Sequence, residues 1–303
     1  MLDDLIDESF SSKSYFSNPY PLFDTLRTQS PVFYSNQIGG WVLTKHEDVD
    51  AVLRNSEVFS SKGRITHLLN QLEPELQPEL ESLHFHFARG LAHSDAPEHT
   101  RLRGLLARAF TPKMIENLRP RIREIATEII SSLKTEADLL DDLLTPLPAR
   151  VVGELLGSST EDIPNLIRWA HAINGLYEKG GRISAEKALH AESMLKEMRS
   201  FVAKLILERQ SKKKLGSLSG EEDVLSALVM QEENALTEDE MLSTMVSLFV
   251  AGHETTTHLL GNGWFALLNR PEWISKMKQD STLIPSVVEE MARFDGSVPR
   301  SWR

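Results

Sequence analysis

The stretch 251-AGHETTTH-258 sits between two apolar arms, 241-MLSTMVSLFV-250 and 259-LLGNGWFALL-268. Thr237 and Glu240 have the form of a capping box, which opens a helix ahead of the first arm. That helix can run to Asn269, before Arg270-Pro271. Its more than thirty residues would reach roughly 50 Å at ~1.5 Å per residue. A lone glutamate in a helix ordinarily faces water, but Glu254 has Val250 and Ala251 one turn back. A charge in such an arm is costly unless it is paired or lies beside a cavity. Gly252 adds ~1 kcal/mol relative to alanine, and a glycine is useful there when a bulky group must approach the backbone. Thr255 can turn its hydroxyl onto the carbonyl of Ala251 and bend the helix. Together these residues predict a local opening beside a bound ligand. A satisfied core defect explains them equally well.

The run 253-HETTTH-258 invites comparison with a zinc-protease helix, which needs histidines four residues apart on one face. Here that position is Thr257. His258 is five residues from His253, about 140° round the helix, so the rings diverge and the zinc reading fails.

Two further clusters carry charge. In 99-HTRLR-103, His99 and Arg103 share a helix face, either as a solvated basic patch or as two donors clamping a carboxylate ligand. In 289-EEMAR-293, Glu290 and Arg293 flank an apolar face made by Val287, Met291 and Phe294. Exposed, such a pair is worth only ~0.2–0.5 kcal/mol, and partial burial would make it structural.

Composition narrows the classes. The 303 residues carry a net charge of −11 and no cysteine. The acidic balance argues against a nucleic-acid partner. The missing cysteines exclude disulfides, zinc–thiolate sites and cysteine nucleophiles within the chain. The start, 1-MLDDLIDESF-10, lacks the apolar core of a signal peptide, and no run approaches the ~18–20 uncharged residues of a membrane span. A cytoplasmic protein without a membrane anchor is the simplest reading.

Most of the chain reads as helix. Helices are expected at 20–30, 46–55, 147–156, 160–177, 184–209 and 220–232, with strands at 32–35 and 41–44 paired around Gly39-Gly40. Residues 60–93 read as a long loop with helical pieces. Asp95 and Glu98 resemble a capping box with Pro97 in the first turn, opening a helix to about Phe110. Thr111-Pro112 starts another, whose apolar stripe is Ile115, Leu118, Ile122, Ile125, Ile129 and Leu133. The basic join 211-SKKKLGSLSG-220 reads as an exposed loop. The fold class is mainly α with a small β-sheet, in one domain.

AGxETT in a long apolar helix, ExxR downstream and 95-DAPEHTRLRGLLARAFTP-112 upstream together resemble the cytochrome P-450 family of haem-thiolate monooxygenases, in its soluble bacterial form. The opening 32-VFYSNQIGGWVLTKHEDVDAVLRNSEVFSS-61 is similar to the family's first strands and following helix. The resemblance covers essentially the whole chain. It implies a P-450-like helical fold over 1–303, as a single partial domain. Its cofactor would be haem b, and its reaction the insertion of one oxygen atom of O2 into a small organic substrate. Electrons would come from a ferredoxin and ferredoxin reductase.

By the same resemblance, Glu254 and Thr255 are the acid–alcohol pair that passes protons to dioxygen at the haem. Ala251 and Gly252 lie against the macrocycle, while His99, Arg103 and Arg303 hold its propionates. Glu290 and Arg293 are a structural ion pair. Phe85, Phe87 and Leu91 are candidate pocket-lining residues that core packing would explain equally well. The basic set Arg101, Arg108 and Lys113 either docks the electron donor or is a solvated face. The family's iron takes a cysteine thiolate from a loop downstream of ExxR. This chain has none, so no metal ligand is assigned, and the cysteine loop and C-terminal strands are expected to be missing from a domain of which roughly three quarters is present. The chain alone is then expected to be inactive, as a fragment of a monooxygenase or as a truncated pseudoenzyme. A helical interaction protein without haem is the reading from another class.

Overall fold

In the computed structural model the described residues are 2–10, 12–177, 183–220, 223–231 and 236–303. Among them are fifteen α-helices, short 3-10 and π segments and one two-stranded sheet, a mainly helical architecture. No helix of the described residues is long and apolar enough to cross a membrane. The chain divides into two compact units. One comprises Met1–Thr100, Ala172–Lys196 and Arg303, the other Arg101–His171 and Glu197–Trp302.

The first unit starts with α1 (Leu2–Ser9), α2 (Lys13–Ser17) and α3 (Tyr20–Gln29), followed by β1 (Val32–Ser35), β2 (Gly40–Leu43) and α4 (His46–Arg54). The strands form the expected antiparallel hairpin, with Val32 opposite Leu43 and Ser35 opposite Gly40. Gly39 takes the turn at φ 72, a left-handed conformation that favours glycine. Ile6, Phe10, Tyr15, Leu26 and Phe33 make the core beneath it. The Asp7 carboxylate ties α1 to the turn by accepting from Ser35 Oγ and from the Asn36 amide at 3.0 Å.

Residues 60–93 hold more helix than their irregular pattern suggests. They form α5 (Arg64–Leu69), a 3-10 segment (Pro74–Leu80), α6 (Glu81–Arg89) and a last 3-10 turn (Leu91–His93). The cap of α6 comes from far along the chain. Glu192, 3% exposed, accepts from the amides of Ser82 at 3.1 Å and Leu83 at 2.8 Å. A carboxylate at a helix start meets both the orphan amides and the dipole.

The Asp95–Glu98 capping box does not form. The helix α7 is Glu98–Ala109, so Pro97 precedes it, and the Asp95 carboxylate turns instead to Ser60 Oγ and the Ser61 amide at 2.9 Å. These hydrogen bonds, the one from Ser60 foremost, hold Asp95 below the usual carboxylate range.

In the second unit α8 (Pro112–Ser132) starts as expected, with Thr111 Oγ1 accepting from the Met114 amide at 3.2 Å. Only Ile125 and Ile129 of its apolar stripe are buried, while Ile115 and Ile122 are exposed. The helix packs on α9 (Pro146–Leu155) and the π segment Leu140–Leu144, which cover part of that face. Next along the chain come α10 (Ile163–Asn174) and α11 (Ala185–Lys214), each divided between the two units; α11 runs through the lysines expected in a loop. Lysine is a good helix former and suits a helix C-terminus. Lys213 also donates to the Val229 carbonyl at 2.7 Å, and Gly216 at φ 68 ends the helix. The helix expected over 220–232 is α12 (Val224–Met230); residues 221, 222 and 232 lie outside the described residues.

The long helix α13 (Glu238–Leu268) opens on the predicted capping box, with Thr237 and Glu240 bonding reciprocally at 2.9 and 3.2 Å. It packs on α9, on the π segment, and on α14 (Pro271–Gln279) and α15 (Ile284–Phe294).

Two buried features give measurable expectations. Asp223 caps α12 through the Ser226 amide at 2.6 Å and pairs with the buried Arg209 at 3.0 Å, which also donates to the Gly157 carbonyl at 2.7 Å. Asp223→Ala strands a buried guanidinium and should cost about 3–5 kcal/mol in chemical denaturation. A loss under about 1 kcal/mol would show the pair to be water-screened.

His93 and His253 are both held down to about 4, by burial foremost. They stay neutral in the folded chain, while the unfolded chain binds their protons below 6.5. Stability is therefore full above that value and is lost as pH falls from 6.5 to about 4, by at most on the order of 3 kcal/mol per histidine. His253→Leu should flatten the fall of unfolding free energy with acid; an unchanged slope would contradict this.

Candidate active site

The middle of α13 is an unbroken α-helix, so the expected opening at Gly252 is not formed. Three threonines in a row donate back one turn instead. Thr255 Oγ1 reaches the Ala251 carbonyl at 2.6 Å, Thr256 that of Gly252 at 2.9 Å and Thr257 that of His253 at 3.1 Å. These bonds satisfy the hydroxyls within the helix ladder. Ala251 is exposed, Glu254 and Thr255 are half-buried, and His253 and Thr257 are buried on the other side.

Gly252 has a packing reason for being glycine. A Cβ built there would stand 3.1 Å from Val152 Cγ2 on α9, tighter than nine in ten such contacts. Gly263 plays the same part toward α15, where an added Cβ would collide with the Met291 side chain.

Glu254 faces a histidine that its local sequence does not mark. His171 Nε2, on α10, lies 3.6 Å from Glu254 Oε1; the imidazole is 55% exposed and the carboxylate 17%. The His171 ring also lies over that of His253, with centroids 5.7 Å apart and planes at 27°. Neither nitrogen of His253 has a partner at hydrogen-bonding geometry. Burial, and then His171, lower both His253 and His258.

On α7, Arg103 is exposed and His99 half-buried, and neither side chain has a partner among the described residues. Arg101 differs, since its guanidinium is paired with Glu240 and so withdrawn from the basic set read as a docking patch. Arg303 donates to Ser61 Oγ and to the Leu53 carbonyl at 2.8 Å, which leaves some of its five N–H groups for other acceptors.

Glu290 and Arg293 form a bidentate pair, both contacts 2.6 Å. Of the two alternatives, exposed or partly buried, it is the exposed one, at 56% and 70% exposure. The reason is that α15 has no buried residue and meets α13 through Met291 on Gly263. Phe87 is core, 3% exposed and edge-on to the rings of His86 and His93, each at 5.0 Å. Phe85 is half-buried under the Arg89 guanidinium at 3.8 Å, and Leu91 is half-buried.

The cytochrome P450 family model matches residues 183–290. Cytochrome P450 CYP107DY1 of Priestia megaterium is 35% identical over 85% of this chain and 62% of its own length. The polyketide biosynthesis cytochrome P450 PksS of Bacillus subtilis is 33% identical over 94% of this chain and 69% of its own. Cytochrome P450 monooxygenase PikC of Streptomyces venezuelae is 31% identical over 97% and 67%. The chain thus spans about two thirds of the length of these relatives.

Among solved structures, P450BioI in complex with an acyl carrier protein carrying hexadec-9Z-enoic acid superimposes with a TM-score of 0.80 at 27% identity, over 93% of this chain and 70% of that one. The Bacillus subtilis PksS structure gives 0.76 at 30% identity, over 94% and 68%. A helical architecture with one small hairpin, an acid–threonine pair in the central helix and relatives of this identity over nearly the whole chain lead to one conclusion: the chain belongs to the cytochrome P450 family.

Proposed function

We propose that residues 1–303 are part of a single P450 domain that acts as a haem-dependent monooxygenase, inserting one oxygen atom of O2 into a small organic substrate. The observation that carries this reading is the pair Glu254 and Thr255, a half-buried acid beside a half-buried hydroxyl between two mainly apolar arms of one helix. The apolar arms limit water, the carboxylate holds and delivers protons, and the hydroxyl passes them on. Because the Thr255 hydrogen is directed to the Ala251 carbonyl, its oxygen keeps lone pairs to accept from a bound donor.

The donor set fits the anionic edge of haem b. Arg103 and His99 lie one turn apart on α7 with no anion engaged, the arrangement that a pair of propionates would fill. Arg303 would be a further propionate donor, and Ala251 would lie against the macrocycle. When bound, the haem supplies the redox chemistry and the protein supplies position and protons. The chain contains no cysteine, so none of its residues is the axial thiolate. A cytoplasmic setting and a ferredoxin-type electron donor complete the proposal.

In the haem-loaded protein, Thr255→Ala should divert reducing equivalents from product to peroxide, cutting the yield per electron by about tenfold or more. Unchanged coupling would remove the hydroxyl from the relay. Arg103→Ala should weaken haem binding by about tenfold or more in an absorbance titration, the scale of a charge-assisted hydrogen bond. Arg101→Ala, on the same helix but committed to Glu240, should leave haem affinity as it was; equal losses in both would point to α7 folding rather than propionate contact.

A further inference from the structure

We propose that His171 positions Glu254 and re-supplies its proton from solvent. The inference rests on the reading of Glu254 as the relay acid and adds the step before it. A half-buried acid can deliver protons repeatedly only if something wet can refill it. His171 meets that need. It is the more exposed partner of the pair, and its Nε2 lies 3.6 Å from Oε1 of Glu254. That separation is an ion-pair distance just beyond hydrogen-bond range. A small side-chain rotation or one bridging water closes it, as is common for catalytic contacts without ligand.

Among the described residues, the other charged and titratable groups around the imidazole leave Glu254 as its counter-ion. From α13, His253 lies under the ring, fully buried and kept neutral, so it offers no acceptor charge. His258, also on α13, is likewise lowered by burial and by His171, so it does not compete for the proton. On α10 itself, Arg168 is taken by Glu197 at 2.7 Å. Imidazole is the side chain whose ordinary titration lies near neutrality, so it can both hold a carboxylate and release a proton to it. The step balances simply. The imidazolium gives its Nε2 proton to the Glu254 carboxylate, leaving neutral imidazole and a carboxylic acid, and solvent then returns one proton to the ring.

Two measurements test this. In the 303-residue chain, the ring resonances of His171 followed by NMR at neutral pH should move in Glu254→Gln, because the facing carboxylate is gone. Identical ring resonances in both chains would overturn the coupling, whatever the haem does. In the haem-loaded protein, His171→Arg keeps a cation that holds Glu254 but cannot give up its proton. Product formation should fall several-fold with a larger solvent isotope effect and lose its dependence on pH near neutrality. Added imidazole should restore His171→Gly. Full coupling in His171→Arg at every pH would reduce His171 to a structural contact and defeat the proposal. If Thr255→Ala uncouples while both His171 variants behave as the parent, the relay stands and this entry point falls. If none of the three variants uncouples, both readings fall together.

Discussion

Everything at the site hangs on how closely α13 approaches α9. Val152 Cγ2 stands 3.1 Å from where a side chain at position 252 would begin. With any residue but glycine there, the Val152 side chain would have to give by a few tenths of an ångström. Glu254 and Thr255 follow within one turn and would move with the backbone. The same device recurs at Gly263, about three turns on and on nearly the same face, where the Met291 side chain of α15 fills the missing volume. One side of α13 is thereby pressed against its neighbours, while Ala251 on another side stays open. Mid-helix glycine is unfavourable in propensity, and the contacts it permits offset that cost.

The charges around this scaffold divide by partner. Glu192 caps α6, Asp223 caps α12 while neutralising Arg209, and Glu240 closes its own capping box while taking Arg101. Each satisfies groups that would be costly to bury alone. His253 is the counter-example: buried with neither ring nitrogen in a well-formed hydrogen bond, it is tolerated because it can shed its charge. Against this background Arg103 has no partner among the described residues, and Glu254 faces an imidazole on another helix.

How much of this was legible in the residues depended on the distance to the partner. The capping box at Thr237 and Glu240, the Thr111-Pro112 helix start and the hairpin around Gly39 were readable because every group involved lies within a few positions. Asp95 had the right neighbours for a cap but found Ser60 and Ser61 instead. Lys212–Lys214 had the composition of a loop, yet helix propensity and a bond from Lys213 to Val229 carried α11 through them. The stripe on α8 predicted a longer buried face than α9 and the π segment cover.

The order of residues was enough, then, to establish the helical class, the ends of several elements, the acid–threonine pair and the succession of motifs that placed the chain near its family. Hydrophobic periodicity, caps and turn glycines act locally, and local physics survives whatever the rest of the chain does. Packing had to be known before one could say what Gly252 is for, which arginine of α7 is paired, how open the Glu290–Arg293 pair is, and that His171 faces Glu254. Each of those turns on how groups on separate helices, or helix and solvent, come to meet. Such meetings exist only once packed helices bring the groups within a few ångströms, where close packing and paired charges have their force.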